Sequence, residues 1–316
     1  MTPLNARGIS DNQETMRSFR IAALLSFAAL CPAADKKILL IAGAPSHASG
    51  QHEHNAGVLL LQKWLSTMKG VHASMSLNGA WPENGVLEKA DAIFFFFDGS
   101  GSHLVFKTPE HTEAIAKAAR RGAGLMFYHY ATEPPADKGA KEMLGWIGGY
   151  FELNYSVNPH WDANFQSLPR HPVTRGVKAF SVKDEWYFNL RFPEQSRQVT
   201  PILVAVPPKE AISDRDGPRL GNADVRSTAG QPQTVVWAIE RSNKGRGIGW
   251  TGGHHHRNLG DPNFRKLLLN SLLWIAKANV PRDGVEMSVT GAELSENLDP
   301  KPARRPAPGP AAKLRP

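Results

Sequence analysis

Three groups of histidines each follow directly after a short apolar run in this chain of 316 residues. They lie in Ser46–His54, Tyr128–Tyr130 and Gly252–His256, and Asp184 and Glu185 add two carboxylates elsewhere. Neutral imidazoles with a carboxylate can bind Zn²⁺ or a similar divalent ion. The same groups can transfer protons near neutral pH. The spacing of these residues does not separate the two kinds of chemistry.

The residues in and beside these groups are the candidate site. The candidate catalytic residues are His129, Asp184, Glu185 and His254. The candidate metal ligands are His52, His54, His129, Glu185 and His254. The candidate substrate-binding residues are His47, Tyr130, His160, Trp161, Trp186, Tyr187 and His256. Aromatic rings beside polar groups suit the C–H faces of sugars, although each ring could equally cap the core.

The apolar runs that precede the histidines indicate a buried parallel sheet. Lys37–Ala42, Ala92–Phe97 and Gly124–Tyr128 are nearly continuous in apolar residues, as strands buried on both faces require. Helical patterns alternate with them, so we expect an α/β fold with a mostly parallel sheet and helices on both faces. Ligands of such sheets bind outside the carboxyl ends of the strands. We therefore expect the histidine groups to meet in one pocket.

Further elements are expected later in the chain. Strands are predicted at Thr200–Val206, Thr234–Ile239 and Gly247–Trp250, and helices at Ala56–Met68, Pro109–Arg121, Lys138–Trp146 and Asn263–Ala278.

Several other chemistries are excluded by what the sequence lacks. There is no phosphate loop of the form G-x-x-x-x-G-K-[ST] and no G-x-S-x-G nucleophile elbow. Gly245–Gly249 lacks the spacing of a dinucleotide loop, so no nucleotide cofactor is expected. The single cysteine, Cys31, lies in a predicted signal peptide, which leaves the mature chain without a thiol nucleophile.

The net charge of +8 is concentrated at the ends of the chain. Residues 301–316 carry five Lys and Arg and no acid, and residues 1–34 contribute +1, which leaves +2 for residues 35–300. A nearly neutral body argues against nucleic acid as a partner.

The first 34 residues have the order of a secretory signal peptide. Arg17 and Arg20 precede the apolar run Ile21–Leu30, and small residues follow, with cleavage expected after Ala33. Met16 is an alternative start, and a buried helix is the alternative structure. A lipid on Cys31 is disfavoured by the bulk of Leu30, and the run is too short to span a bilayer. We expect a periplasmic or secreted protein with no integral membrane segment in the mature chain.

These features divide the chain into three parts. We expect an N-terminal extension and signal peptide in residues 1–34, and one domain in 35–299 with a core to about 280 and a C-terminal extension. A disordered basic tail rich in Pro and Ala is expected in 300–316.

Six motifs follow one another along the body of the chain: Ser46–Gly57, Trp146–Glu152, Asn158–Trp161, His171–Gly176, Asp184–Tyr187 and Gly245–His254. Together, in this order, they resemble the ThuA-like (trehalose-utilisation) family, in its exported branch. The resemblance covers about Lys36 to Val280.

The resemblance implies a flavodoxin-like sheet related to class I glutamine amidotransferases. Those enzymes carry a cysteine at the turn where this chain has His129, so glutaminase chemistry is not expected. Family members are associated with the catabolism of trehalose and of oxidised (3-keto) glycosides. We therefore expect an exported hydrolase, lyase or isomerase acting on a glycoside or keto-sugar. A non-catalytic carbohydrate-binding protein is the alternative, and an amidotransferase-like or redox-sensing scaffold comes third.

Overall fold

The computed structural model describes residues 35–194 and 199–301. The predicted signal peptide, with Cys31, and residues 302–316 of the predicted tail lie outside the described residues. Within the described ranges, no helix combines the length and the apolar character needed to cross a membrane.

A seven-stranded sheet forms the centre of the domain. The nine strands are β1 (Lys36–Ala42), β2 (Val71–Ser76), β3 (Ala92–Phe96), β4 (Gly124–Tyr128), β5 (His160–Phe165), β6 (Phe180–Glu185), β7 (Val199–Ala205), β8 (Gln233–Glu240) and β9 (Arg246–Trp250). The central sheet has the order β2-β1-β3-β4-β9-β8-β7. Its first five strands in this order run parallel, whereas β8 and β7 are antiparallel to their neighbours. The expected mostly parallel α/β fold is confirmed, and β1, β3 and β4 are neighbours.

Helices cover both faces of this sheet. They are α1 (His54–Leu65), α2 (Asn84–Lys89), α3 (Pro109–Arg120), α4 (Ala140–Ile147), α5 (Ala223–Ser227), α6 (Pro262–Ile275) and α7 (Gly291–Ser295). Ile38 and Leu40 of β1 pack in the core layer of α1 and α6, whereas Leu39 and Ile41 pack in that of α3 and α4. Successive side chains of a strand point to opposite faces, so burial on both faces requires the continuous apolar run of β1.

A separate antiparallel hairpin of β5 and β6 packs over the same core layer as α6. Its first strand alternates between exposed and buried residues, with Trp161, Ala163 and Phe165 facing inward. Neither strand was predicted from the sequence. The hairpin matters for function because its register pairs His160 with Glu185, which places both at one end of the ladder.

Candidate metal centre

Four side chains from distant parts of the chain meet at the carboxyl edge of the parallel strands. His52 comes from the loop after β1, His129 follows β4, and His254 follows β9. Glu185 is the last residue of β6 in the hairpin. His129 is fully buried, and the Glu185 side chain is 12% exposed. The four form a largely enclosed polar group that we call the inner cluster.

The distances within the inner cluster fit the spacing of ligands around one ion. His52 Nε2 lies 3.0 Å from His254 Nδ1 and 3.1 Å from His129 Nε2. Glu185 Oε2 lies 3.1 Å from His254 Nδ1 and 3.4 Å from His129 Nε2. Tetrahedral ligands at the usual bond lengths to Zn²⁺ are about 3.4 Å apart. The cluster therefore has the size that a metal centre requires.

The outward-facing nitrogens of two histidines fix which ring nitrogen carries the proton. His52 Nδ1 lies 2.8 Å from Asp98 Oδ1, and His129 Nδ1 lies 2.7 Å from the carbonyl oxygen of Thr251. A carboxylate and a carbonyl only accept hydrogen bonds, so both Nδ1 atoms donate. In the neutral rings the two Nε2 lone pairs then point at each other across 3.1 Å. Metal-binding histidines are typically oriented by this kind of outer hydrogen bond.

The pKa values of the inner cluster show where a positive charge is needed. Burial lowers the pKa of His52 well below its ordinary value, and the neighbouring histidines add to the effect. Burial alone would raise the pKa of Glu185, but hydrogen bonds from His129 and His254 hold it well below its usual range. Burial opposes protonation of His129, yet the Glu185 carboxylate outweighs it and raises the pKa of that histidine. The cluster thus favours a cation at its centre, either a proton on His129 or a metal ion.

Asp184 lies behind the inner cluster rather than in it, which corrects its assignment as a catalytic group. Its oxygens accept hydrogen bonds from the backbone N–H groups of Gly253, His254 and His255 and from the Asn258 side chain. The side chain is fully buried. Asp184 is therefore a positioning residue that holds the turn carrying His254.

The turn after β9 also requires glycine at position 253. Gly253 has a φ of +112°, and a Cβ atom there would lie 2.3 Å from the Tyr128 ring.

Two histidines of the inner cluster have a strained backbone. His52 and His129 have φ values of +43° and +56°, a region in which residues other than glycine are strained by about 1–3 kcal/mol each. Such strain persists only where surrounding contacts hold the backbone in place. The His52 loop is held by contacts of this kind.

A C-terminal residue, Lys301, holds the loop that presents His52. Its Nζ donates to the carbonyl oxygens of Ser46, Gln51 and His52 and lies 3.3 Å from Glu53 Oε1. Asp299 adds a bond from its backbone N–H to Glu53 Oε2. The sequence placed Lys301 in a disordered tail, whereas its side chain is 10% exposed and fixed across the loop.

Replacing Lys301 with methionine is expected to lower the free energy of unfolding by about 3 kcal/mol, because it leaves the buried Glu53 without its cation. For a domain of this size the melting temperature should fall by roughly 6–12 °C. Thermal unfolding of the variant measures this. Lys63→Met is the matched control, since the Lys63–Glu293 pair is exposed to solvent and should contribute little to stability. Equal losses in both variants would show that Lys301 is an ordinary surface lysine.

Other predicted site residues lie outside the inner cluster. His54 Nδ1 donates to the Ala44 carbonyl oxygen and His54 Nε2 lies 3.6 Å from Asp98 Oδ1, so His52 and not His54 joins the cluster. Trp161 and Trp186 are buried in the core, with their indole N–H groups bonded to backbone carbonyls. Because their rings are covered, they cannot stack on a sugar. His256 is buried beside Gly57 of α1, away from the cluster.

The remaining predicted residues surround the cluster. Tyr187 is buried with its hydroxyl 3.3 Å from His129 Nε2. The ring of His47 stacks on His52 at 3.5 Å between centroids, and His160 is 42% exposed beside Glu185. Burial, with the Glu133 carboxylate adding to it, raises the pKa of Tyr130 to about 12, so its hydroxyl stays protonated.

Asp98 and Arg219 contact the site without having been predicted. Asp98 directly follows β3 at the carboxyl edge, so the rule that located the histidines could have found it. Arg219 donates to the Tyr130 hydroxyl and forms an ion pair with the buried Glu133. No local pattern indicates Arg219, because a long loop brings it to the site.

The fold and the site define an open α/β protein with a cluster of histidines and a carboxylate at the carboxyl ends of its parallel strands. The ThuA family model, described as trehalose utilisation, matches residues 37–275. The chain therefore belongs to the ThuA family, as its motifs indicated. No protein with a curated functional description matches it.

Solved structures of ThuA-like proteins share the fold. A putative ThuA-like protein from Bacteroides uniformis aligns with a TM-score of 0.56 at 20% identity, covering 79% of this chain and 95% of that one. One from Parabacteroides merdae gives 0.50 at 16% identity, covering 79% and 94%. At these identities the likeness supports the fold alone.

Proposed function

We propose that this protein is a metal-dependent enzyme of carbohydrate catabolism, with its ion held by the inner cluster. The supporting observation is the convergence of three imidazole nitrogens and a carboxylate oxygen, with neighbouring atoms 3.0–3.4 Å apart. His52 and His129 already donate their other ring protons outward, so their inward lone pairs repel unless a cation separates them. The donor set of nitrogen and carboxylate oxygen suits Zn²⁺.

A glycoside or keto-sugar is the proposed substrate class, which the family's description as trehalose utilisation supports. A bound divalent ion would supply Lewis acidity towards a substrate oxygen. Residues beside the inner cluster would orient the substrate. The Tyr130 hydroxyl, fixed by Arg219, and the exposed edge of His47 can bind sugar hydroxyls. Asn158 donates to Glu185 Oε1 and so holds the carboxylate with its other oxygen towards the cluster.

Metal analysis of freshly purified protein, paired with a turnover screen of oxidised disaccharides, tests this proposal. We expect at least one divalent ion per chain, and turnover that is lost with a chelator and restored by Zn²⁺. Turnover by protein without metal would overturn the metal role and favour proton transfer by His129 and Glu185. Sugar binding without turnover or metal would favour a carbohydrate-binding protein.

We also propose export to the periplasm or medium, from the basic, apolar and small-residue order of residues 17–34. The mature chain is expected to begin near Ala34. Intact-mass measurement on protein from the native host checks this, and a mass that includes Ile21–Leu30, or a lipid on Cys31, would contradict it.

A further inference from the structure

A second group of histidines lies on the solvent side of the inner cluster. One ring nitrogen from each of His160, His254 and His255 lies within 4.8 Å of the others. The ring centroids are 4.7 Å apart for His160 and His254, and 4.8 Å apart for His254 and His255. We call these three residues the outer cluster. His254 belongs to both clusters.

One atom of His254 has no role in the inner cluster. Its Nδ1 faces His52 and Glu185, whereas its Nε2 is buried and has no hydrogen-bond partner among the described residues. A buried nitrogen without a partner is unfavourable, because it loses its hydrogen bonds to water and gains none in return. The rings of His160 and His255 both contact the ring of His254 edge to face, so these histidines could share a ligand with it.

We propose that the outer cluster is a second divalent-cation site, with His160, His255 and His254 Nε2 as its ligands. Three imidazoles with one open position form a known kind of zinc site, and the 42% exposure of His160 leaves room for water. The second carboxylate oxygen, Glu185 Oε1, lies 3.9 Å from His160 Nε2 and supplies nearby negative charge. The proposal rests on the proposed function, because both ions share His254.

Sharing His254 has a defined proton balance. With Nδ1 bound to the inner ion, the neutral ring carries its proton on Nε2. Binding of the outer ion replaces that proton, which passes to solvent, and the imidazolate then links the two ions. Because His160 is 42% exposed, the outer ion would lie on the solvent side of the inner cluster, where a substrate oxygen could contact it.

Zn²⁺ titration of the chelator-stripped full chain, followed by equilibrium dialysis and elemental analysis, tests the second site. We expect two ions per chain at saturation. His160→Gln and His255→Gln should each reduce the number to one by losing the outer ion. His129→Gln should also leave one, by losing the inner ion. His72→Gln, an exposed histidine of β2, is the matched control and should still bind two.

The outcomes separate this inference from the proposed function. One ion in the unaltered chain that His160→Gln retains would overturn the second site and would leave the metal enzyme standing. One ion that His160→Gln removes would overturn the two-ion proposal and would contradict metal binding by the inner cluster. No ion at all would overturn the proposed function itself. Loss of an ion from His72→Gln would identify the second ion as adventitious surface binding.

Copper loading tests the shared histidine directly, since imidazole nitrogens bind Cu²⁺ well. Two Cu²⁺ ions joined by one imidazolate couple their spins, so the electron paramagnetic resonance signal should fall well below that of two independent ions. His160→Gln should restore the full signal of a single ion. An undiminished signal from the doubly loaded chain would contradict the bridge.

Discussion

Protein carrying Glu185→Gln is expected to lose both its inner ion and its turnover. The amide removes the carboxylate charge that balances the ion, and it replaces an anionic oxygen ligand with a neutral one. Loss of an outer hydrogen-bond partner alone typically weakens metal binding by 10–100-fold, so loss of this ligand should cost more than about 100-fold. Elemental analysis and a competitive chelator titration measure the affinity.

The stability of the variant distinguishes a metal ligand from a structural residue. An ion present at about 1,000 times its dissociation constant stabilises the fold by about 4 kcal/mol, so the metal-loaded parent should melt roughly 8–16 °C above the variant. Adding Zn²⁺ to the chelator-stripped protein should raise the melting temperature of the parent and leave that of the variant unchanged. Glu152→Gln, at an ion pair with Arg191 outside the cluster, is the control and should keep its ion. A variant that keeps metal but loses turnover would contradict the ligand role.

The sheet could be predicted because its central strands can be recognised from the sequence of each strand alone. β1, β3 and β4 are nearly all apolar, and that pattern requires burial on both faces. The hairpin was missed for a related reason. In His160–Phe165 polar and apolar residues alternate, as in a strand with one buried face. The pattern was not recognised because the strand contains aspartate and asparagine, which are typical of loops.

The candidate site was predictable only where topology fixed it. His129 and His254 leave adjacent parallel strands, so the order of the sheet alone brings them to one edge. Choosing between His52 and His54 required the backbone, since the left-handed φ of His52 turns its ring inward while His54 begins α1. The burial of Trp186 depends on how the hairpin packs, which no local pattern records.

Asp184→Asn is expected to destabilise the fold strongly, whether or not an ion is bound. The two carboxylate oxygens accept from Gly253, His254 and Asn258, and each oxygen has at least two donors at 3.4 Å or less. The amide nitrogen of asparagine must face one of these sets, which leaves two buried donors unpaired at about 1–3 kcal/mol each. We expect a loss of about 4 kcal/mol and a fall of roughly 8–16 °C in melting temperature.

The same substitution should weaken metal binding through the position of His254, although Asp184 bonds only to the backbone of the cluster residues and not to their ligand atoms. The turn that Asp184 holds determines the direction of both ring nitrogens of His254. Zinc–nitrogen bonds are about 2.0–2.1 Å long, so a shift of the His254 ring by a few tenths of an ångström would weaken them. Asp162→Asn, an exposed carboxylate on the paired strand β5, is the matched control and should change neither property. Full metal affinity in a destabilised Asp184→Asn protein would show that the turn supports the fold without positioning His254.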